Sequence, residues 1–201
     1  MFNLFRKKTA PPAPDLPQAF GYKCAWLAIR SASVLEVTGA LRLSHTEAAN
    51  WATGLEQAYA GQMFVSPAVG KWVLAISTRL LTKLSQRFGE AQYFGTHGVV
   101  EYQAWAKARQ GQIVRAYAWL GESGATLWNI GSKTREELEL GLTFLDEAAP
   151  EAASASDGPQ TGAAYPNEES VLGMARKWSI DPAFPAGLYA PGVGVSGIFT
   201  S

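Results

Sequence analysis

The sequence predicts an α+β domain, with a mixed or mostly antiparallel sheet, a central β-meander and about five helices packed on it. Three observations lead there. Short β-like apolar runs and segments of helical period follow one another as strand, two helices, hairpin, helix and meander, not as the strict strand–helix alternation of a parallel sheet. Two Ser/Thr-x-x-Glu capping motifs and an Asn mark helix starts. The aromatic residues gather in the β-rich stretches, where Trp72, Trp105, Trp119 and Trp128 accompany Tyr93, Tyr102 and Tyr117. A content of 47% hydrophobic and 17% charged residues is enough to bury a core without staples.

Pro11, Pro12, Pro14 and Pro17 each fix φ and disfavour helix in the residue before, so residues 1–19 read as a disordered leader. A single domain is expected over residues 20–182. Tyr22–Arg30 reads as a mostly buried strand, and Val34–Leu41 as a short helix with Val34, Leu35, Val37 and Leu41 at helical spacing. Ser44-His-Thr-Glu47 has capping-box spacing and predicts a helix carrying Ala48, Trp51, Leu55, Ala58 and Tyr59 on one face, ending at Gly61. Met63–Val65 and Trp72–Ile76, separated by Pro67 and Gly70, read as a hairpin. Thr78–Phe88 is helical, with Leu80, Leu81, Leu84 and Phe88 as its stripe and Gly89 as its stop.

Ala91–Phe94 opens the meander. Val99–Arg109 and Gln112–Leu120 flank Gln110-Gly111, a two-residue turn that suits positive φ. An unbroken register sets Trp105, Lys107 and Arg109 on one face with Val114, Ala116 and Leu120, and Tyr102 and Ala104 on the other with Tyr117 and Trp119. A turn at Glu122–Gly124 leads to a third strand, Ala125–Trp128. Thr134-Arg-Glu-Glu137 is a second capping box, opening a helix that stops at Gly141. Residues 146–162, rich in Ala, Ser, Pro and Gly without periodicity, read as a flexible loop. Asn167 caps a last helix bearing Val171, Leu172, Met174, Ala175 and Trp178. Residues 183–201 read as an irregular Gly/Pro-rich tail.

Lys plus Arg equals Asp plus Glu at 17 each, so the chain lacks the field that draws in a polyanion and nucleic-acid binding is not expected. Arg6-Lys7-Lys8 reads as a solvated tail. No apolar run approaches the ~18 residues of a membrane span, and Met1–Phe5 is too short for a signal core, which makes the cytoplasm the expected location and a membrane partner unexpected. Cys24 is the single cysteine, so no internal disulfide framework exists, and within an apolar strand it reads as inert packing.

The only histidines are His45 and His97, with no ligand pair at metal spacing; no metal and no cofactor are expected. No Gly-x-Ser-x-Gly elbow occurs, and Gly192–Gly197 lacks the Gly-Lys-Ser/Thr ending of a phosphate cradle. The catalytic residue set that remains is His97 with Glu101 and Arg115. His97 and Glu101 stand about 13 Å apart along an extended chain at ~3.3 Å per residue, too far for direct proton transfer unless the chain bends. For binding, Tyr102, Tyr117 and Trp119 beside Arg115 form a candidate recognition patch on a partly open sheet face, since large aromatics offer area at low entropy cost.

The run Phe88–Trp105, followed by Ile113–Tyr117 and by Lys177–Pro182, resembles a family of uncharacterised bacterial proteins over about residues 20–182. The resemblance assigns no catalytic residue. It implies, by analogy with small proteins encoded beside secreted toxins, an immunity protein: a non-catalytic cytoplasmic module that binds and neutralises a toxin or effector protein. An enzyme built on His97, Glu101 and Arg115, and a small-molecule sensor using the aromatic sheet face, are the alternatives.

Overall fold

The structure is a computed structural model that describes residues 11–31, 33–76, 81–144, 166–186 and 189–199. One row of side chains shows how its sheet is built. Glu47, Ser196, Phe64, Ile76, Trp26, Phe94, Trp105, Tyr117 and Asn129 are successive cross-strand partners, one from each of the nine strands among the described residues. The strands are β1 (Ala25–Ile29), β2 (Leu43–Ala49), β3 (Met63–Val65), β4 (Val73–Ile76), β5 (Glu90–His97), β6 (Tyr102–Arg109), β7 (Gln112–Leu120), β8 (Ala125–Ile130) and β9 (Gly194–Phe199). They lie in the order β2-β9-β3-β4-β1-β5-β6-β7-β8, every neighbouring pair antiparallel, in one α+β fold. The expected meander exists as β5–β8, but at one end of the sheet and not at its centre.

Among the described residues five α-helices sandwich the sheet: α1 (Val34–Leu41), α2 (Trp51–Tyr59), α3 (Leu81–Phe88), α4 (Arg135–Glu139) and α5 (Glu168–Trp178). On the face bearing the aromatic row, Trp51 and Leu55 of α2 and Val171, Leu172, Met174, Ala175 and Trp178 of α5 join the larger core. Leu27, Ile29, Val65, Val73 and Ala91 point the other way, under Val37 and Leu41 of α1 and Leu84 of α3. Because β1, β3 and β4 are covered on both faces, their sequences are continuous apolar runs with no polar alternation. The residues predicted to stripe α5 are all buried, and its Asn167 cap accepts from the Ser170 amide at 2.9 Å. The Thr134 capping box of α4 is present as expected.

Four local expectations are corrected. Ser44–Glu47 does not cap a helix: it belongs to edge strand β2, whose register with β9 shifts between Ser44 and Glu47, where His45 takes φ 50. A capping box satisfies two amides, whereas pairing with β9 satisfies a ladder, so the tertiary partner wins. Helix α2 starts instead at Trp51, with Asn50 Oδ1 accepting from Thr53 at 3.1 Å. Ala48 and Tyr59 consequently lie exposed, off the buried stripe.

The Gly/Pro-rich tail is not irregular throughout: Gly194–Phe199 is β9, inserted between β2 and β3. Glycine suits this position because a Cβ on Gly194 would run into the Val65 carbonyl oxygen, and one on Gly197 would lie within about 3.1 Å of β2. Nor is all of the leader disordered. Asp15 bridges to Gly192, and its carboxylate accepts from the Trp51 and Ala52 amides at 2.6 and 2.9 Å, two donors that a helix start leaves orphaned. Residues 1–10, the Thr78–Leu80 start predicted for α3 and the 146–162 loop lie outside the described residues.

The fourth correction concerns the β6–β7 register. Gln110 and Gly111, at φ 50 and φ 83, make the expected two-residue turn, but the ladder shifts by one between Lys107 and Ala108. A slip of one residue exchanges the faces of everything beyond it. Trp105 therefore opposes Tyr117, and Arg115, Tyr117 and Trp119 share the aromatic face with Gln103 and Trp105, while Tyr102 turns to the other face and meets Tyr93 hydroxyl to hydroxyl at 3.3 Å.

Candidate functional site

Beyond the aromatic row, two residue pairs further along β6 and β7 and on the same face, Gln103 opposes Trp119. Here the sheet floor is left open to a cleft of about 580 Å³, lined by Gln103 and Trp119 from the sheet, Glu101 and Gly121 from the β5–β6 and β7–β8 connections, Tyr22 before β1, and the start of α5. Each wall has a local cause. Glu101 holds a left-handed backbone at φ 50, a costly conformation for a residue with a Cβ, and its carbonyl accepts from Gly121 at 3.1 Å. Gly121 has no room for a side chain because that of Glu101 fills the space. Glu168 lies over Gly98, where a Cβ would come 3.3 Å from Glu168 Oε1. Opposite, the Tyr22 hydroxyl donates to Glu169 Oε1 at 2.6 Å, and that carboxylate raises the Tyr22 phenol above its usual range.

The cleft has one sign of charge. Glu101, Glu168 and Glu169 line it, and among the described residues the lining includes no Lys, Arg or His. Two acceptors within it lack donors. Gln103 is 5% exposed, yet its Oε1 has no hydrogen-bond partner among the described residues, and the same holds for the buried Oε1 of Glu168. A buried acceptor left unmet costs about 1–3 kcal/mol, so two in one cleft are stabilised by whatever brings donors to them.

Comparison of the chain with protein-family models, with curated proteins and with solved structures gives no match. The reading of the site therefore rests on its geometry.

That geometry separates the residues proposed from sequence. Glu101 and Trp119 meet in the cleft. His97 is exposed at the end of β5, opposite Tyr102, and makes no ion pair with a described residue. Arg115 stands on the Lys107 row, five residues along β7 from the Leu120 partner of Tyr102. Roughly 16 Å of strand thus divides it from the His97 row, so the three members of the candidate catalytic set are not brought together. Tyr102 lies on the opposite sheet face, and Tyr117 is fully buried in the aromatic row.

Arg115 has a different role. It is 1% exposed; its Nε donates to both oxygens of the fully buried Glu137 at 2.7 and 2.9 Å, and Nη1 donates to Asn129 Oδ1 and to the carbonyls of Ile130 and Gly131. Glu137 also accepts from Trp105 Nε1 at 2.7 Å and the Thr134 amide at 2.6 Å. The Phe144 ring centroid lies 5.1 Å from the guanidinium carbon. This constellation ties α4 to β6, β7 and β8.

Cys24 is half-buried beside Tyr59 and a smaller hollow of about 230 Å³. Burial pushes its thiol up to about 11, away from the thiolate that a nucleophile or metal ligand needs. Gln103, Glu168, Glu169 and Tyr22 are the cleft residues that sequence reasoning missed. The available signal was Gln103 itself, a polar residue two positions before Trp105 and so on the same inward face; Asn167-Glu-Glu169 read only as a helix start.

Proposed function

We propose that the protein is a non-catalytic binding module that engages a protein partner, most concretely as a cytoplasmic immunity protein that neutralises a toxin or effector, and that the cleft between Gln103, Trp119 and the start of α5 is where it binds. The observation that carries this reading is the buried Gln103 Oε1, without a donor among the described residues, on the floor of an acidic, partly aromatic cleft. Acceptors held on strands and a helix start form a preorganised recognition surface, which lowers the ordering cost of association. The residues that would supply acid–base chemistry, His97 and Arg115, are not among those lining it, and Arg115 is committed to Glu137. Among the described residues no helix is long and apolar enough to cross a membrane.

Co-expression with the product of the adjacent upstream gene tests the proposal. Rescue of host growth together with co-purification of a complex is the expected result. A harmless neighbour and no complex would count against the immunity reading. A metabolite screen by thermal shift then addresses the sensor alternative, which the cleft volume accommodates, because a bound ligand raises stability in proportion to RT ln(1 + [L]/Kd).

A further inference from the structure

We infer that the cleft is built to take a protonated amine or guanidinium: a cationic group drawn to the Gln103 and Glu168 side chains, with the Trp119 ring beside it and Glu101 and Glu169 supplying charge. The inference rests on the cleft being the binding site, and it names the chemistry that fills it.

Four features select this ligand. The ionised groups lining the cleft are carboxylates, so an anion is repelled and a cation attracted within a partly desolvated space. Of the buried atoms without a partner among the described residues, the two in the cleft are both oxygens that accept, and an ammonium carries three donors with no acceptor of its own, a guanidinium five. Trp119 is half-buried and lines the same space, offering an indole, the best aromatic partner for a cation. Two walls are held before any ligand arrives: Glu169 by the Tyr22 hydroxyl, Glu101 by its left-handed backbone against Gly121. A bare divalent ion fits less well, since the described residues contain no cluster of three or more His, Cys, Asp or Glu side chains placed to hold one.

The cationic group has two possible sources, a Lys or Arg side chain of the partner protein or a free amine. The test is calorimetric titration of the purified full chain with Nα-acetyl-lysine methylamide, Nα-acetyl-arginine methylamide and spermidine. The neutral Nε-acetylated lysine amide and calcium chloride serve as comparisons. The expected result is saturable binding of at least one cationic organic probe and none of the neutral amide. Gln103→Leu and Glu168→Gln should each weaken that binding about ten- to a hundredfold, the range for a hydrogen bond to a charged group. Tighter binding of the amino-acid amides identifies a protein side chain as the source, and tighter binding of spermidine a free polyamine.

The inference is overturned if the neutral amide binds as well as its charged counterpart, if calcium binds and the amines do not, or if neither substitution weakens amine binding in a folded protein. Glu168 as a residue is half-buried at the start of α5, and Glu168→Gln replaces a single oxygen, so the test stands even should Gln103→Leu fold poorly. Failure here is distinguishable from failure of the immunity reading. A complex with a toxin that is indifferent to both substitutions removes the amine site alone, while amine binding without any toxin partner removes the immunity role alone.

Discussion

Two acidic groupings on the same face of the sheet end in opposite states. At Glu137, four donor contacts from Trp105, Arg115 and Thr134 close around one carboxylate, and the arginine is itself anchored to Asn129 and the backbone of β8, leaving only its Nη2 without a described acceptor. In the cleft, Glu101, Glu168 and Glu169 gather with no basic residue among the described lining, and Gln103 Oε1 stays unmet. The first is a completed internal contact. The second is short of donors among the described residues, so the two groupings differ in their unmet acceptors and not in their charge, and the proposed binding role rests on that difference.

The largest expected effect tests the closed end. Glu137→Ala strands Arg115 in the core and should cost about 3–5 kcal/mol in denaturant unfolding. An Arg115→Met, Glu137→Leu double variant should recover most of that loss, because no charge is left buried. Recovery below a third would mean that Asn129 and the β8 carbonyls, left without the guanidinium, matter more than the ion pair. Next comes Asp15, a satisfied carboxylate contributed by the leader: Asp15→Ala should cost about 1 kcal/mol through loss of its contacts with the α2 amides. No change in the unfolding midpoint would show that the Pro11–Ala19 stretch contributes nothing to the fold.

Smaller still is the effect at Glu90. Burial pushes its carboxyl up, but hydrogen bonds from Gln92 and Arg109 and the Arg109 charge more than offset this and hold it below its usual range. Its folded-state pKa is thus depressed, so its contribution is present above the unfolded value near 4.5 and is lost as pH falls through the lower folded value. Arg109 is 58% exposed, which limits the pair to about 0.5 kcal/mol. Stability measured from pH 6 down to 3 should fall less steeply in Glu90→Gln; an unchanged slope would assign acid sensitivity elsewhere. The smallest loss is expected in the cleft: Gln103→Leu should cost nothing and, by removing a buried acceptor left unmet, should raise stability by about 1 kcal/mol. A loss above 2 kcal/mol would instead place Gln103 among the closed contacts and erase the comparison.

Local signals carried much of this fold into view. Val34–Leu41, the β3–β4 hairpin, the Gln110-Gly111 turn, the Thr134 capping box and the Asn167 cap are all legible because period, turn chemistry and caps act within a few residues. The cleft was less legible. Glu101 and Trp119 stood out as residue types, but Gln103, Glu168 and Tyr22 come from three distant segments, and no spacing rule joins them.

What the sequence determined by itself is the class, the α+β mixture and the packing demand of its aromatic residues, since those follow from composition and short-range preference. Tertiary structure decided the rest. It turned Ser44–Glu47 from a helix start into a strand, drew the glycine-rich tail into the sheet, and through a one-residue shift between Lys107 and Ala108 placed Arg115, Tyr117 and Trp119 on the face of Trp105. The physical reason is common to all three. Ladder pairing and face assignment are settled by a partner strand far away in the chain, and one residue of register exchanges inside for outside.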